Sequence, residues 1–292
     1  PKEGFAITRH GALGADGKIF RDPYNKNGVG AVRYLGIECQ RTKREFILKN
    51  STLIQNLIQK AKPYMHNTHK QHVPMTDCRL SDADAVKEPK HRKEKGLDQK
   101  PFRSFLGACG YICMSTKPQC SYAFKELARF NTNFGLPHWE ALLNLISYIQ
   151  TTQDEGLIIP AAGGEDITAY SDADWNGSDK HLSTTGWIIF CGDAPISWCS
   201  QMQRATARSV CESEYISLSH LSQELVYIQM LSGSLDMPND YVAVRVNSGS
   251  DEPWQTGKDP SSALRAWRAH TSSEGLSKHG DPPTTKTTAY TD

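Results

Sequence analysis

The chain has 292 residues, 38% hydrophobic and 22% charged, with 33 Lys and Arg against 32 Asp and Glu for a net charge of +1. This length allows two modest domains, or one domain with long appendages, and the apolar content is low enough for parts of the chain to be weakly ordered. The charge balance excludes a global pull toward polyanions, and no apolar run approaches the roughly 18 residues of a membrane span.

Without a signal-peptide pattern the chain reads as intracellular, cytoplasmic or nuclear, and its start at Pro1 reads as a fragment of something longer. Residues 1–30 are rich in Gly, Asn, Asp and Lys without a sustained period and are expected to be loop or disorder. The run VRYLGIEC over 32–39 predicts a strand, with 45–48 as its partner across the polar turn RTKR. Residues 51–61 predict a short amphipathic helix capped by Ser51, with Leu53 and Leu57 on its apolar face. Residues 62–100 carry Pro63, Pro74 and Pro89, many His and a mixed-charge run, and read as a linker. Its basic residues suit a phosphate backbone, but the acids among them and the lack of aromatics suit a solvated segment better.

Between 102 and 131 the pattern turns helical twice, on either side of Pro118, and 138–151 predicts a further helix with Trp139, Leu142, Leu143, Ile146 and Ile149 at spacings of three and four. The rhythm then changes to strands, at 167–172, 186–191 and 196–199, with a hairpin turn Gly-Asp-Ala-Pro between the last two. Ser209 and Glu212 form the capping-box pattern that opens a long helix to about Leu231, and 241–246 predicts a fourth strand. Beyond Ser248 the chain is polar and Pro-rich. The eight cysteines show no CxxC pair and no His spacing for zinc, so they are expected to be reduced, packed thiols.

Three strands, a long helix and a fourth strand are the order of a ribonuclease H core. Two-metal phosphodiester hydrolysis needs carboxylates fixed on rigid elements. Asp172 ends the first of these strands, although Asp172 and Asp174 equally suit a polar turn before Asn176-Gly177. On the long helix Glu214 shares a face with Leu218, Leu221, Leu225 and Ile228, so its carboxylate lies along the packing stripe, where an acid is costly unless paired or metal-bound. Glu212 does not share that face.

The segment from Pro101 to Asn247 resembles the C-terminal part of a copia-type LTR retrotransposon polyprotein, its reverse transcriptase connection followed by ribonuclease H. The residues that carry the resemblance are Phe102 to Gly107 (FRSFLG), Lys117-Pro118, Ser121-Tyr122-Ala123, His138-Trp139 and Tyr148-Ile149 in the connection. They continue with Tyr170 to Trp175 (YSDADW), Ser183 to Gly186 (STTG), Ile196-Ser197-Trp198 and Cys211 to Tyr215 (CESEY), while Tyr34 to Glu38 (YLGIE) is similar to the segment after the polymerase palm. The resemblance implies a metal-binding aspartate at Asp172, a helix glutamate at Glu214, and a third acid where this chain has Asn247 after Val246. An amide there removes a full negative charge from a site meant for two Mg²⁺ or Mn²⁺ ions. The family's last signature is similar to Lys278-His279-Gly280-Asp281, which makes Asp281 a candidate ligand, although it lies far from Asn247 and outside a helical setting.

These readings imply a mixed α/β (α+β) fold, with a ribonuclease H-like core preceded by a helical connection region and poorly ordered N- and C-terminal segments. The expected divisions are 1–61 from the end of a reverse transcriptase, 62–100 linker, 101–160 connection, 161–250 ribonuclease H-like, and 251–292 polar tail. The implied activity is hydrolysis of the RNA strand of an RNA/DNA hybrid, impaired at Asn247, with the remainder of a polyprotein as a further partner. The alternative is a non-catalytic transposon-derived remnant that binds nucleic acid or serves a structural role. DNA synthesis is not expected, because residues 1–33 lack the paired aspartates of a palm.

Overall fold

The computed structural model describes residues 12–13, 19–20, 31–42, 44–65, 70–76, 80–160, 167–179, 181–234, 242–246 and 287–290. Within them the chain is mixed α/β, with one antiparallel sheet tied to a helical body and a second, mixed sheet covered by one long helix. Asn247, Asp281 and most of the two ends expected to be poorly ordered lie outside the described residues. Among the described residues no helix is long and apolar enough to cross a membrane, and the seven described cysteines are unbridged.

A short pair, β1 (Ala12–Leu13) and β2 (Ile19–Phe20), precedes the first main sheet. The strand expected over 32–39 is instead a hairpin, β3 (Ala31–Tyr34) and β4 (Ile37–Arg41). Two residues in the left-handed region, Leu35 at φ 50° and Gly36 at φ 83°, reverse the chain between them. Paired positive φ values make the tight turn whose twist matches a right-handed strand pair, and Gly36 meets that need without a Cβ.

β5 (Glu45–Lys49) adds to β4, and α1 (Ser51–Ala61) follows. Its N-cap is Asn50 rather than Ser51, and the Asn50 Oδ1 accepts from the hydroxyls of Ser115 (2.9 Å) and Thr116, so it fastens a neighbouring helix instead of its own first turn. Residues 62–100, expected as a linker, include the short helix α2 (Pro89–Glu94), and Leu80, Val86 and Leu97 are buried in the main core. Charged residues outnumber apolar ones there, which hides in a composition the three side chains that pack.

Three helices form the body: α3 (Phe102–Ser115), α4 (Ser121–Ala128) and α5 (Leu136–Thr151). Their apolar faces, with Ile54 and Leu57 of α1, make one core around Phe102, Ile112, Leu127, Leu142, Leu145 and Ile149. Phe102 stacks on Phe134 with ring centres 4.2 Å apart. At the start of α5, Gly135 lets the chain pass against residues 81–84, since a Cβ there would stand 2.0 Å from the Asp84 carbonyl oxygen. After α5, β6 (Leu157–Pro160) pairs antiparallel with β5, which returns the helical segment to the N-terminal strands. The described residues of both stretches therefore build one unit.

The second sheet is ordered β11-β10-β7-β8-β9. β7 (Ile167–Asp174), β8 (Thr184–Cys191) and β9 (Ala194–Met202) form an antiparallel meander, with Gly192 at φ 54° in the turn between the last two. α6 (Val210–Ser234) crosses one face, β10 (Val242–Val246) then lies parallel to β7, and β11 (Thr287–Tyr290), within the expected polar tail, lies parallel to β10. The Ser209 hydroxyl accepts from the Glu212 N–H at 3.1 Å, while the Glu212 carboxylate takes the Arg208 N–H at 2.7 Å, so the predicted cap forms with its reciprocal half moved one residue back. Leu221, Leu225 and Ile228 of α6 bury against Ile167, Ala169 and Ile189, the stripe read from the sequence. The two units touch through α4 against β9, and the Trp198 indole donates to the Cys113 carbonyl at 3.0 Å.

Candidate functional site

β7 alternates strictly at its start: Ile167, Ala169 and Ser171 are buried toward α6, with more open residues between them. Where the apolar alternation stops, at Ser171, the packing turns polar. The Ser171 and Ser217 hydroxyls are 2.7 Å apart, and the Ser217 hydroxyl donates to the Asp172 carbonyl at 2.8 Å, so Ser171 is the donor to Ser217. On α6, Ser213, Glu214 and Ser217 are buried together one turn above Leu221. Small hydroxyls at this crossing let the helix approach the strand closely while every donor finds an acceptor.

Among the described residues the last register pair of β10 with β7 is Val246 with Ser171, two residues before Ala173. Glu214 Oε1 accepts the Ala173 N–H at 3.3 Å. Its other oxygen, Oε2, is buried and has no hydrogen-bond partner among the described residues. Strand alternation carries Asp172 to the opposite side of the pleat from Ser171, and its charge still acts on the Glu214 carboxyl.

Burial, and then the negative charge of Asp172, push the Glu214 carboxyl up to about 7, against the pull of the Ala173 N–H. Asp172 is raised above the usual carboxylate range, first by burial and further by Asp174, with the Ala173 backbone opposing. A pair of acids that repel each other in a partly dry site holds a proton near neutral pH or is relieved by a cation. The unpartnered Oε2 facing that repulsion fits a hard divalent cation, which oxygen ligands hold.

Of the residues singled out in the sequence, Asp172 lies on β7 and Glu214 on α6, with the Asp172 charge acting on the Glu214 carboxyl, whereas Asn247 and Asp281 lie outside the described residues. Among the described residues no three His, Cys, Asp or Glu side chains converge. Sequence reasoning missed Ser171, Ser217 and Gln203. Gln203 is 1% exposed and its Nε2 donates to Thr185 Oγ1 at 3.1 Å and to the Ser213 carbonyl at 2.9 Å, locking the start of α6 to β8. The available signal was the interruption of the α6 apolar stripe by Ser213 and Ser217 at the same helical spacing as Glu214.

No protein-family model matches the chain. It is 32% identical over 196 residues, 67% of its length, to a retrovirus-related Pol polyprotein from transposon RE2 of Arabidopsis thaliana, of which it spans 13%. It is also 36% identical over 129 residues, 44% of its length, to secreted RxLR effector protein 161 of Plasmopara viticola, 91% of which is covered. Among solved structures, the foamy viral protease-reverse transcriptase in complex with an RNA/DNA hybrid aligns over 82% of this chain and 28% of that one, with 13% identity and a TM-score of 0.35, too low to carry an argument about fold or activity. Pol polyproteins from three plant transposons match about 70% of its residues at about 30% identity, so the chain is similar, over about two thirds of its length, to a short part of the retrovirus-related Pol polyproteins of copia-type transposons.

Proposed function

We propose that residues 161–250 form a ribonuclease H-type nuclease, with 101–160 as its connection region and 1–61 as the end of a reverse transcriptase. The observation that carries this reading is the Asp172–Glu214 pair, a strand-end acid and a helix acid, one of whose buried oxygens is unpartnered. The order of a three-strand meander, a covering helix and a strand returning parallel to the first supports it. The substrate is the RNA strand of an RNA/DNA hybrid, chosen by its 2′-hydroxyl groups and helix shape rather than by base sequence.

Asp172 and Glu214 would hold Mg²⁺ or Mn²⁺, and ions bound in this way activate water and stabilise the leaving oxygen in a two-metal hydrolysis. The chain's own contribution is to hold the carboxylates. Ser217 fixes the Asp172 backbone, Ala173 orients Glu214 Oε1, and the helix-to-strand packing keeps Oε2 out of bulk water. Asn247 follows Val246, whose register partner is Ser171, and offers a neutral amide where the resemblance implies the third acid. Asp281 is the remaining candidate ligand.

The test compares the purified chain with its Asn247→Asp variant on an end-labelled RNA/DNA hybrid in Mg²⁺ and in Mn²⁺. The parent is expected to cut orders of magnitude more slowly than the variant, and Asp172→Ala or Glu214→Ala to abolish cutting in both. A variant as inert as the parent that also binds no Mn²⁺ overturns the nuclease reading. Asn247 itself favours one other outcome, a remnant that binds the hybrid without cleaving it; hybrid affinity unchanged by Asp172→Ala would identify that role.

A further inference from the structure

We propose that Lys125 of α4 is a positioning residue for the Asp172–Glu214 pair, which makes the helical unit a working part of the site. The proposal rests on the nuclease reading given above. Lys125 is 8% exposed, although it is a lysine on a helix that meets the second sheet. Its Nζ donates to Thr184 Oγ1 at 2.9 Å and also pairs with Glu126. Thr184 opens β8 and is the register partner of Asp174, the last residue of β7. The ammonium therefore grips the start of β8, which pairs with the end of the strand that carries Asp172, from the other unit of the chain.

Lys125 meets Glu126 through Oε1, since Glu126 Oε2 already accepts from the Arg129 guanidinium at 2.7 Å. Burying an ammonium is costly even within an ion-pair network, and burial lowers the Lys125 pKa against the opposing charges of Glu126 and Asp174. The contact with Thr184 is what carries this network to β8.

The same network holds the turn after β7 at a second point. Asp179 Oδ2 accepts from the Asp82 N–H at 2.6 Å and from the Ser81 hydroxyl at 3.1 Å. Asp82 pairs with Arg129 at 3.3 Å, and Arg129 leads back through Glu126 to Lys125. The path from Asp179 to Thr184 thus closes through α4 and residues 81–82.

Within the turn, Ser183 Oγ accepts the Asn176 N–H at 3.2 Å, and a Cβ on Gly177 would lie 1.9 Å from Asp174 Oδ2, so the Asp174 carboxylate sits directly on the turn backbone. Movement of Thr184 is therefore passed to Asp174, and along two residues of strand to Asp172.

The experiment uses the full chain, as parent and with Asn247→Asp, each carrying Lys125→Met, Lys125→Arg or Thr184→Val. Mn²⁺ affinity is read by calorimetry, and amide exchange is read on peptides covering 172–184. Loss of a group that orients ligands weakens metal binding roughly tenfold or more, so Lys125→Met and Thr184→Val should both raise the Mn²⁺ Kd by that factor and speed exchange in 172–184. Lys125→Arg, which keeps a donor of similar reach, should restore both. Removing a cation that acts only through its field would instead tighten Mn²⁺ binding, and Thr184→Val would then change nothing; either result overturns the proposal. If neither the parent nor Asn247→Asp binds Mn²⁺, the metal reading fails, and exchange in 172–184 alone decides the brace: unchanged rates with Lys125→Met reject it, and rates about tenfold faster sustain it.

Discussion

The two units bury very different interiors. In the helical unit the apolar cluster is large, running from Ile54 through Phe102, Leu127, Leu145 and Ile149, and Lys117, Lys125, Glu126 and His138 are buried in the same unit. In the sheet unit the apolar cluster is short, Ile167, Ala169, Ile189, Leu221, Leu225 and Ile228, and Ser171, Thr185, Gln203, Ser213, Glu214 and Ser217 are buried above it. Each fully buried aliphatic side chain contributes roughly 1.5–3 kcal/mol, whereas a buried hydroxyl or amide at best breaks even through its hydrogen bonds and a buried carboxylate opposes folding. The larger apolar cluster therefore gives the helical unit the greater share of hydrophobic stabilisation. The sheet unit gives up stability at one end by burying Glu214 within the field of Asp172, and it leans on its neighbour through Lys125, Asp179 and Trp198.

The largest test of that contrast is truncation in the two cores. Leu142→Ala and Leu145→Ala, both at 0% exposure, should lose about 3–5 kcal/mol in urea unfolding at pH 7, and Leu225→Ala, at 5%, about 2–3 kcal/mol. Equal losses would erase the distinction between the units.

A test of the opposite sign follows from Glu214. Its folded pKa lies near 7, above an ordinary value of 4.5, so the folded state holds the proton longer than the unfolded one. No penalty is present below 4.5, and stability falls as pH rises from there to about 7. Glu214→Gln should accordingly stabilise the metal-free chain by at most about 3 kcal/mol at pH 8 and by little at pH 4.5, as measured by urea unfolding at both pH values. A variant less stable than the parent at pH 8 would mean that the acid is not opposing folding.

Divalent cation should reverse the same penalty. Mn²⁺ at 100 times its Kd is expected to stabilise the parent by about 2.7 kcal/mol, seen as a rise in thermal midpoint, and Asp172→Asn should remove that rise. Smallest of all, Ser209→Ala should cost about 1 kcal/mol through the lost cap on α6, with no change in the helical unit's hydrogen exchange.

Much of the local structure was legible in the residues. The helices over 51–61, 102–115 and 136–151, the long helix from Ser209 and the meander from 167 onward follow from periods of 3.6 and 2 that are set within a few residues. The hairpin at Leu35-Gly36 was missed because a continuous apolar run looks like one strand until a glycine within it is taken as a turn, and the core contribution of Leu80, Val86 and Leu97 because charged neighbours dominate the composition around them. β6 was missed for another reason: a four-residue strand has no signal of its own and exists through its pairing with β5, more than a hundred residues earlier.

The candidate site divides in the same way. The sequence by itself determined that Glu214 shares a face with Leu221, Leu225 and Ile228, because this depends only on spacing along one element. It also put Asp172 near the close of a strand, although pairing with β8 carries that strand on to Asp174, so its end depends partly on a neighbour. Only the tertiary structure decided that Glu214 takes the Ala173 N–H, that its second oxygen is buried without a partner among the described residues, and that a lysine of another unit holds the start of the neighbouring strand β8. Those three facts are distances between residues remote in sequence. They follow from how the apolar faces pack, and no local period encodes them.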